Sequence, residues 1–177
     1  MAYEKEKIYV GRKGDGIKMN KPLISYVVTA YNIEKYVKES VNCAFAQTYS
    51  PLEIVLSDDC STDHTFDIMK RMAEEYKGPH KIILNRNEKN LGIAKHMNRA
   101  YLELASGEII IAAHGDDISR PERTEKSFLY FNEHPEVTAL SFSIDAINEE
   151  GKILKEHIHL KKGEIYQHLQ ERFIKKF

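Results

Sequence analysis

Between residues 23 and 117 the chain repeats one pattern. A short run of β-branched and aromatic residues stops abruptly on polar ones, and a stretch of helical period follows. Residues 23–29 end in Thr29-Ala30-Tyr31-Asn32, residues 52–56 in Ser57-Asp58-Asp59, residues 81–85 in a loop leading to Gly92, and residues 109–113 in His114-Gly115-Asp116-Asp117. No hairpin turn joins these runs, so each crosses over through a helix and returns parallel to the one before. The pattern predicts an α/β domain: a mostly parallel sheet sandwiched by helices. The helices are marked by Tyr36, Val37, Val41, Ala44 and Phe45, then by Phe66, Met69, Ala73 and Tyr76, then by Ala94, Met97, Ala100, Tyr101 and Leu104. Ser61 or Thr62 is expected to cap the second of them.

The run Ile109-Ile110-Ile111-Ala112-Ala113 is too short and too β-branched for a helix. It reads as the central strand, buried on both faces. An unpaired carboxylate inside such a strand is costly. Asp116 and Asp117 therefore belong just past its carboxyl end, where a parallel sheet opens into a ligand crevice. Two adjacent carboxylates repel unless a cation or a proton sits between them. A hard divalent cation holding a phosphorylated ligand resolves the repulsion.

After Asp117, Pro121 opens a helix expected to reach His134. Residues 137–147 alternate as a strand, residues 148–151 form a turn into residues 152–154, and an amphipathic helix is expected over 163–177. Residues 1–21 are polar and glycine-punctuated, and read as an N-terminal extension to a domain spanning 22–177. A net charge of −1 over 177 residues gives no footprint for nucleic acid. Cys43 and Cys60 fit neither a disulfide framework nor a metal spacing, which points to a reducing compartment. No apolar stretch is long enough to span a bilayer. The expectation is a cytoplasmic chain, with the inner face of the membrane as the other place where it would work.

Parallel strands share a direction, so the polar ends at Thr29–Asn32, Asp58–Asp59 and His114–Asp117 lie along one edge of the sheet. One of Asp58 and Asp59 is expected to cap its own turn. The other can accept hydrogen bonds from a nucleobase imide or a ribose hydroxyl. Tyr31 offers a face for a base or plain packing, and Asn32 a ligand contact or a helix cap. His114 is either a third metal ligand or a histidine satisfied at the rim. Lys95 is a candidate for a phosphate contact, against the ordinary reading of a solvated lysine.

Taken in order, these fragments resemble family 2 glycosyltransferases of the GT-A fold. The residues that carry the likeness are Val27–Asn32, Gln47-Thr48-Tyr49, Leu56–Thr65, Asn90-Leu91-Gly92-Ile93-Ala94 with Asn98, Ala105-Ser106-Gly107-Glu108, and Gly115-Asp116-Asp117. Each alone is a weak signal, while the ordered set over roughly residues 22–154 is specific. The resemblance implies a site for a nucleoside-diphosphate sugar, UDP-linked in most similar enzymes. It also implies inverting transfer to a saccharide or lipid-linked acceptor hydroxyl in polysaccharide or glycoconjugate synthesis. Thr29, Ala30, Tyr31 and Asn32 would line the nucleotide, Asp58 and Asp59 would lie at the base, and Lys95 near the phosphates. Asp116 and Asp117 would contact ribose and a Mn²⁺ or Mg²⁺ on the diphosphate.

Three departures stand out. His114 replaces the acid that often opens the D-x-D motif. Met97 replaces the arginine common before Asn98, leaving Lys95 or His96 to meet the phosphates. The chain ends about 60 residues after Asp117, before the region where similar enzymes hold the acceptor and the carboxylate base. The expectation is a domain without its acceptor part and with no base to name. The alternative reading is a non-catalytic nucleotide-sugar-binding domain or pseudoenzyme. A receiver-like phosphoacceptor domain would explain paired aspartates after a strand, but not the Thr29–Asn32 end.

Overall fold

The computed structural model of the chain describes residues 21–142, 144–148 and 152–158. The N-terminal extension up to residue 20 and the helix expected over 163–177 lie outside the described residues. The chain divides into two compact units, Met1–Glu125 and Lys126–Phe177.

The first unit alternates β1 (Ile24–Ala30), α1 (Val37–Phe45), β2 (Leu52–Asp58), α2 (Thr65–Glu75), β3 (Lys81–Arg86), α3 (Ile93–Arg99) and β4 (Ile109–His114), with a π-helical turn over Ala100–Leu104 extending α3. The strands form one four-stranded sheet in the order β3-β2-β1-β4. Every pairing is parallel, and Thr29 lies across from Ser57 on one side and His114 on the other. The α/β sheet with flanking helices expected from the sequence is what forms.

The centre of that sheet is not where the sequence placed it. β1 and β2 are buried at every position, whereas β4 is an edge strand among the described residues. Only Ile111 and Ala113 of β4 are buried, while Ile110, Ala112 and His114 face outward. The expectation of a strand buried on both faces fails because Ile110 and Ala112 make its outer face as apolar in sequence as its inner one. Composition alone cannot separate those two cases.

Helices α1 and α2 pack on each other and on the sheet. Across the sheet's middle, Val27, Val55 and Ala100 form a buried cluster against which Ile83, Tyr101 and Leu104 pack. The inward line of α3 therefore runs through His96 and Ala100, and Ala94, expected inward, is exposed. Helix α2 begins later than expected, with His64 at the N-cap position and the Asp63 carboxylate accepting the Thr65 N–H at 2.9 Å. Ser61 and Thr62 are spent on the preceding loop instead.

A buried acid locks the amino-terminal edge of the sheet. Glu53 of β2 is wholly inaccessible, and it accepts hydrogen bonds from Ser25 Oγ (2.7 Å), Ser106 N (2.5 Å), Ser106 Oγ (2.7 Å) and Lys81 Nζ (3.2 Å). Burial pushes its pKa up, but these donors outweigh burial and hold it at about 2. The neighbouring Gly107 runs so close to β1 that a Cβ would sit 2.5 Å from Ser25 N. This is the structural reason for the Ala105–Glu108 fragment.

In the second unit, β5 (Ile144–Ile147) and β6 (Ile153–Ile158) pair antiparallel. Asn148 ties the hairpin, its side-chain oxygen accepting the Lys152 N–H at 2.8 Å. The strand expected over 137–147 shortens to its last four residues, because residues 137–142 alternate but find no partner strand among the described residues. Helix α4 (Arg123–Glu133) matches the expected span closely. No helix among the described residues is long and apolar enough to cross a membrane.

Candidate functional site

The strand order reverses between β1 and β4, since β2 and β3 build outward on one side of β1 and β4 adds on the other. In open parallel sheets such a switch point leaves a crevice beyond the carboxyl ends of the strands, because the two crossovers diverge there. Thr29, Ala30, Tyr31 and Asn32 leave β1 on one side of it, and His114, Gly115, Asp116 and Asp117 leave β4 on the other.

Backbone hydrogen bonds stitch the rim together. Gly115 N donates to Thr29 O, Asp59 N to Ala30 O, and Asn87 N to Asp58 O, each at 2.9 Å. Thr29 and Ala30 are buried in this seam, and Thr29 Oγ1 lies 3.2 Å from His114 Nδ1. Ser40 Oγ and Asp117 N both donate to His114 O, while the Asp117 carboxylate accepts the His114 N–H at 3.0 Å. Tyr31 is 44% exposed, leaving its ring open to a ligand. Asn32 is no helix cap, for α1 is preceded by Tyr36 at that position. Its backbone is left-handed (φ 51°), and its side-chain oxygen accepts the Thr62 N–H at 2.8 Å, joining the loops after β1 and β2.

The two acids after β2 have different work. Asp58 is buried and accepts from the Ser61 hydroxyl and from Ser61 N, closing a turn in which Cys60 adopts φ 63°. Arg86 Nε lies 3.6 Å away. Asp58 is thus committed to its own loop. Asp59 Oδ1 accepts from Asn87 Nδ2 (2.8 Å) and Leu91 N (2.9 Å), and Oδ2 from Gly92 N (3.0 Å). A carboxylate has about four acceptor positions. Among the described residues three are taken, which leaves one on Oδ2 for an imide or hydroxyl donor.

His96 is where the reading from sequence goes wrong. It does not reach out toward a phosphate but is buried at 4% exposure, with Nε2 2.9 Å from Ser57 Oγ. Burial pushes its pKa down, against the pull of Asp59 and Asp58 toward the charged form. The signal was in the sequence: His96, Ala100 and Leu104 recur every four residues along the inward face. Lys95, by contrast, is exposed.

Asp116 and Asp117 are both exposed at the end of β4, and one oxygen of Asp117 is held by the His114 N–H. No group of three histidine, cysteine or acidic side chains among the described residues is arranged to hold a metal. That suits the ions in question, because Mg²⁺ usually takes one or two protein carboxylates and completes its shell with water and substrate phosphates. The donor set, two adjacent carboxylates at a crevice mouth, fits Mg²⁺ or Mn²⁺ carrying a diphosphate.

The fold is the GT-A form of the α/β glycosyltransferase domain, shared with the solved glycosyltransferases on which it superposes. The chain belongs to glycosyl transferase family 2, whose sequence profile matches residues 25–176. An uncharacterized glycosyltransferase of Methanocaldococcus jannaschii is 36% identical over 140 residues, covering 78% of this chain and 47% of that protein. The chain spans about half the length, or less, of the curated relatives it matches. The crystal structure of S. aureus TarS in complex with UDP-GlcNAc superposes with a TM-score of 0.56 at 30% identity, over 63% of this chain and 32% of that one. The mannosyltransferase of Pyrobaculum calidifontis in complex with GDP-Man and Mn²⁺ superposes with a TM-score of 0.51 at 29% identity, over 55% of this chain and 28% of that one.

Proposed function

We propose that this domain binds the nucleoside-diphosphate sugar of an inverting, metal-assisted glycosyltransferase, with UDP as the nucleotide and a saccharide or lipid-linked hydroxyl as acceptor. The observation that carries the reading is the pair Asp116–Asp117, both exposed at the mouth of the β1/β4 switch point. The structures of TarS with UDP-GlcNAc and of the mannosyltransferase with GDP-Man and Mn²⁺ support it.

In this reading the exposed ring of Tyr31 stacks on the base, and the free acceptor position of Asp59 takes the imide N–H of uracil. Thr29 and Ala30 form the floor of the crevice, and Asn32 fixes the loop that carries Tyr31. Asp116 meets the ribose and, with Asp117, the cation. Bound Mn²⁺ or Mg²⁺ would neutralise the charge that develops on the departing nucleoside diphosphate. Lys95 adds a mobile positive charge for the phosphates. The carboxylate that would deprotonate the acceptor hydroxyl is assigned to no described residue.

Calorimetric titration with UDP and with GDP, each with and without Mn²⁺, tests the proposal. UDP is expected to bind more tightly with metal, and Asp117→Ala is expected to lower the metal-dependent affinity at least tenfold, about 1.4 kcal/mol. Binding that ignores both metal and substitution would overturn the metal assignment. No binding of either nucleotide at millimolar concentration would overturn the donor site.

A further inference from the structure

The acid assigned above to the base does not stand alone. Asp59 accepts from Asn87 Nδ2 at 2.8 Å, and Asn87 Oδ1 accepts from Asn85 Nδ2 at 3.1 Å. The same Asn85 amide donates to Ser57 Oγ at 3.1 Å, and Ser57 Oγ lies 2.9 Å from His96 Nε2. The line thus runs from α3 through the carboxyl ends of β2 and β3 to the rim. His96, Ser57, Asn87 and Asp59 are all buried, and Asn85 is half-buried.

The donors and acceptors fix a direction. Asn87 must point its NH₂ at the carboxylate, so its oxygen faces Asn85. Asn85 therefore presents its NH₂ to both neighbours, and Ser57 Oγ accepts from it. From Ser57 onward the direction depends on the tautomer of His96, and the chain is completed when the Ser57 hydroxyl gives its proton to His96 Nε2. That nitrogen can accept only in the neutral ring, with the proton on Nδ1. A protonated ring would place a second donor against Ser57 and turn its hydroxyl proton away.

We propose that neutral His96 is a positioning residue for Asp59, holding the carboxylate in place through Ser57, Asn85 and Asn87 so that its one free acceptor position stays aimed at the nucleobase. The inference rests on the donor-site reading above. In a buried chain of this kind each bond polarises the next, and a break at one end loosens the other. The position is also one where charge matters. Burial above all, with Arg99 on α3, opposes the charged ring, while Asp59, Asp58 and a hydrogen bond to the Ser57 backbone favour it. Asp58 is itself paired with Arg86 of β3.

The test compares wild type with His96→Ala and His96→Gln, whose amide oxygen can still accept from Ser57. UDP affinity in the presence of Mn²⁺ is measured by calorimetry from pH 5 to pH 8. Side-chain amide signals of Asn87 and the backbone signal of Gly92 are followed by NMR in the absence of nucleotide. His96→Ala is expected to weaken UDP binding about tenfold and to shift both signals, and His96→Gln to restore most of each. Wild-type affinity is expected to fall more steeply on acidification than that of His96→Gln, whose remaining pH dependence is that of the nucleotide's terminal phosphate and the metal site. Equal losses in Ala and Gln variants with an unchanged pH profile would reduce His96 to a packing residue and overturn the proposal. Should wild type bind no nucleotide, the donor-site reading falls. The NMR arm still decides the coupling, since Asn87 and Gly92 signals unmoved in a folded His96→Ala protein would overturn it.

Discussion

At the scale of single residues, the most informative side chain is one that sequence patterning passes over. Glu53 sits near the start of a largely apolar strand, and from sequence it reads as one polar position among hydrophobic ones. Its partners are Ser25, Lys81 and Ser106, between 28 and 53 positions away in the chain, and no local period reveals them. Because its folded pKa of about 2 lies below the ordinary 4.5, the unfolded chain binds the extra proton. The stabilisation is therefore fully present above about pH 4.5 and is lost as pH falls toward 2. The depression corresponds to about 3 kcal/mol. Glu53→Gln is expected to lose a comparable amount at pH 7 and to flatten the acid limb of the stability curve, both measurable by urea denaturation at pH 7 and pH 4. A variant with wild-type stability and an unchanged acid limb would show the network to be dispensable. The acids at the opposite edge were more legible, because Asp58, Asp59, Asp116 and Asp117 all lie within four residues of the end of an apolar run. Which of the first pair is committed to its own turn required the partners of each, Ser61 in the turn itself for Asp58, and Asn87, Leu91 and Gly92 beyond β3 for Asp59.

At the scale of elements, the helices and strands of the first unit follow their periods, and the errors fall where period is silent. β4 is the case in point. Its inward residues, Ile111 and Ala113, and its outward ones, Ile110 and Ala112, are chemically alike, so the alternation that marks an edge strand is hidden. Ile111 is 5% exposed and Ile110 37%. The difference predicts unequal responses to the same substitution. Ile111→Lys buries an unpaired charge and is expected to unfold the domain, or to cost upward of about 3 kcal/mol. Ile110→Lys is expected to stay within about 1 kcal/mol of wild type. Thermal unfolding of the two variants side by side decides the matter. Equal destabilisation would return β4 to the sheet interior that its sequence suggests. Helix α3 shows a similar silence. Its apolar residues allow more than one inward line, and the buried histidine that selects between them looks polar.

At the scale of the whole molecule, strand order and not strand identity makes the site. The sequence supplies the polar strand ends and, through right-handed crossovers, their common edge. It does not by itself place β4 beside β1, which is what creates the switch point and brings Thr29 across from His114. Around that point the crossover loops are tied to one another. Asn32 N donates to Ser61 Oγ, Ile33 N to Thr65 Oγ1, Glu34 N to Asp63, and His64 N back to Glu34, all between 2.8 and 3.0 Å. Asp59 ties in the loop before α3 through Leu91 and Gly92. Loops fixed this way respond together, since immobilising one restrains the carboxylates and hydroxyls that hold the next. Hydrogen exchange with and without UDP and Mn²⁺ is therefore expected to show slowed exchange in three separated segments, residues 32–34, 91–92 and 115–117. The amides of Ser106 and Gly107, at the other end of the strands, are expected not to change. Protection confined to a single loop would mean that the rim is a set of independent contacts. Protection at Ser106 and Gly107 would place the ligand away from the switch point altogether.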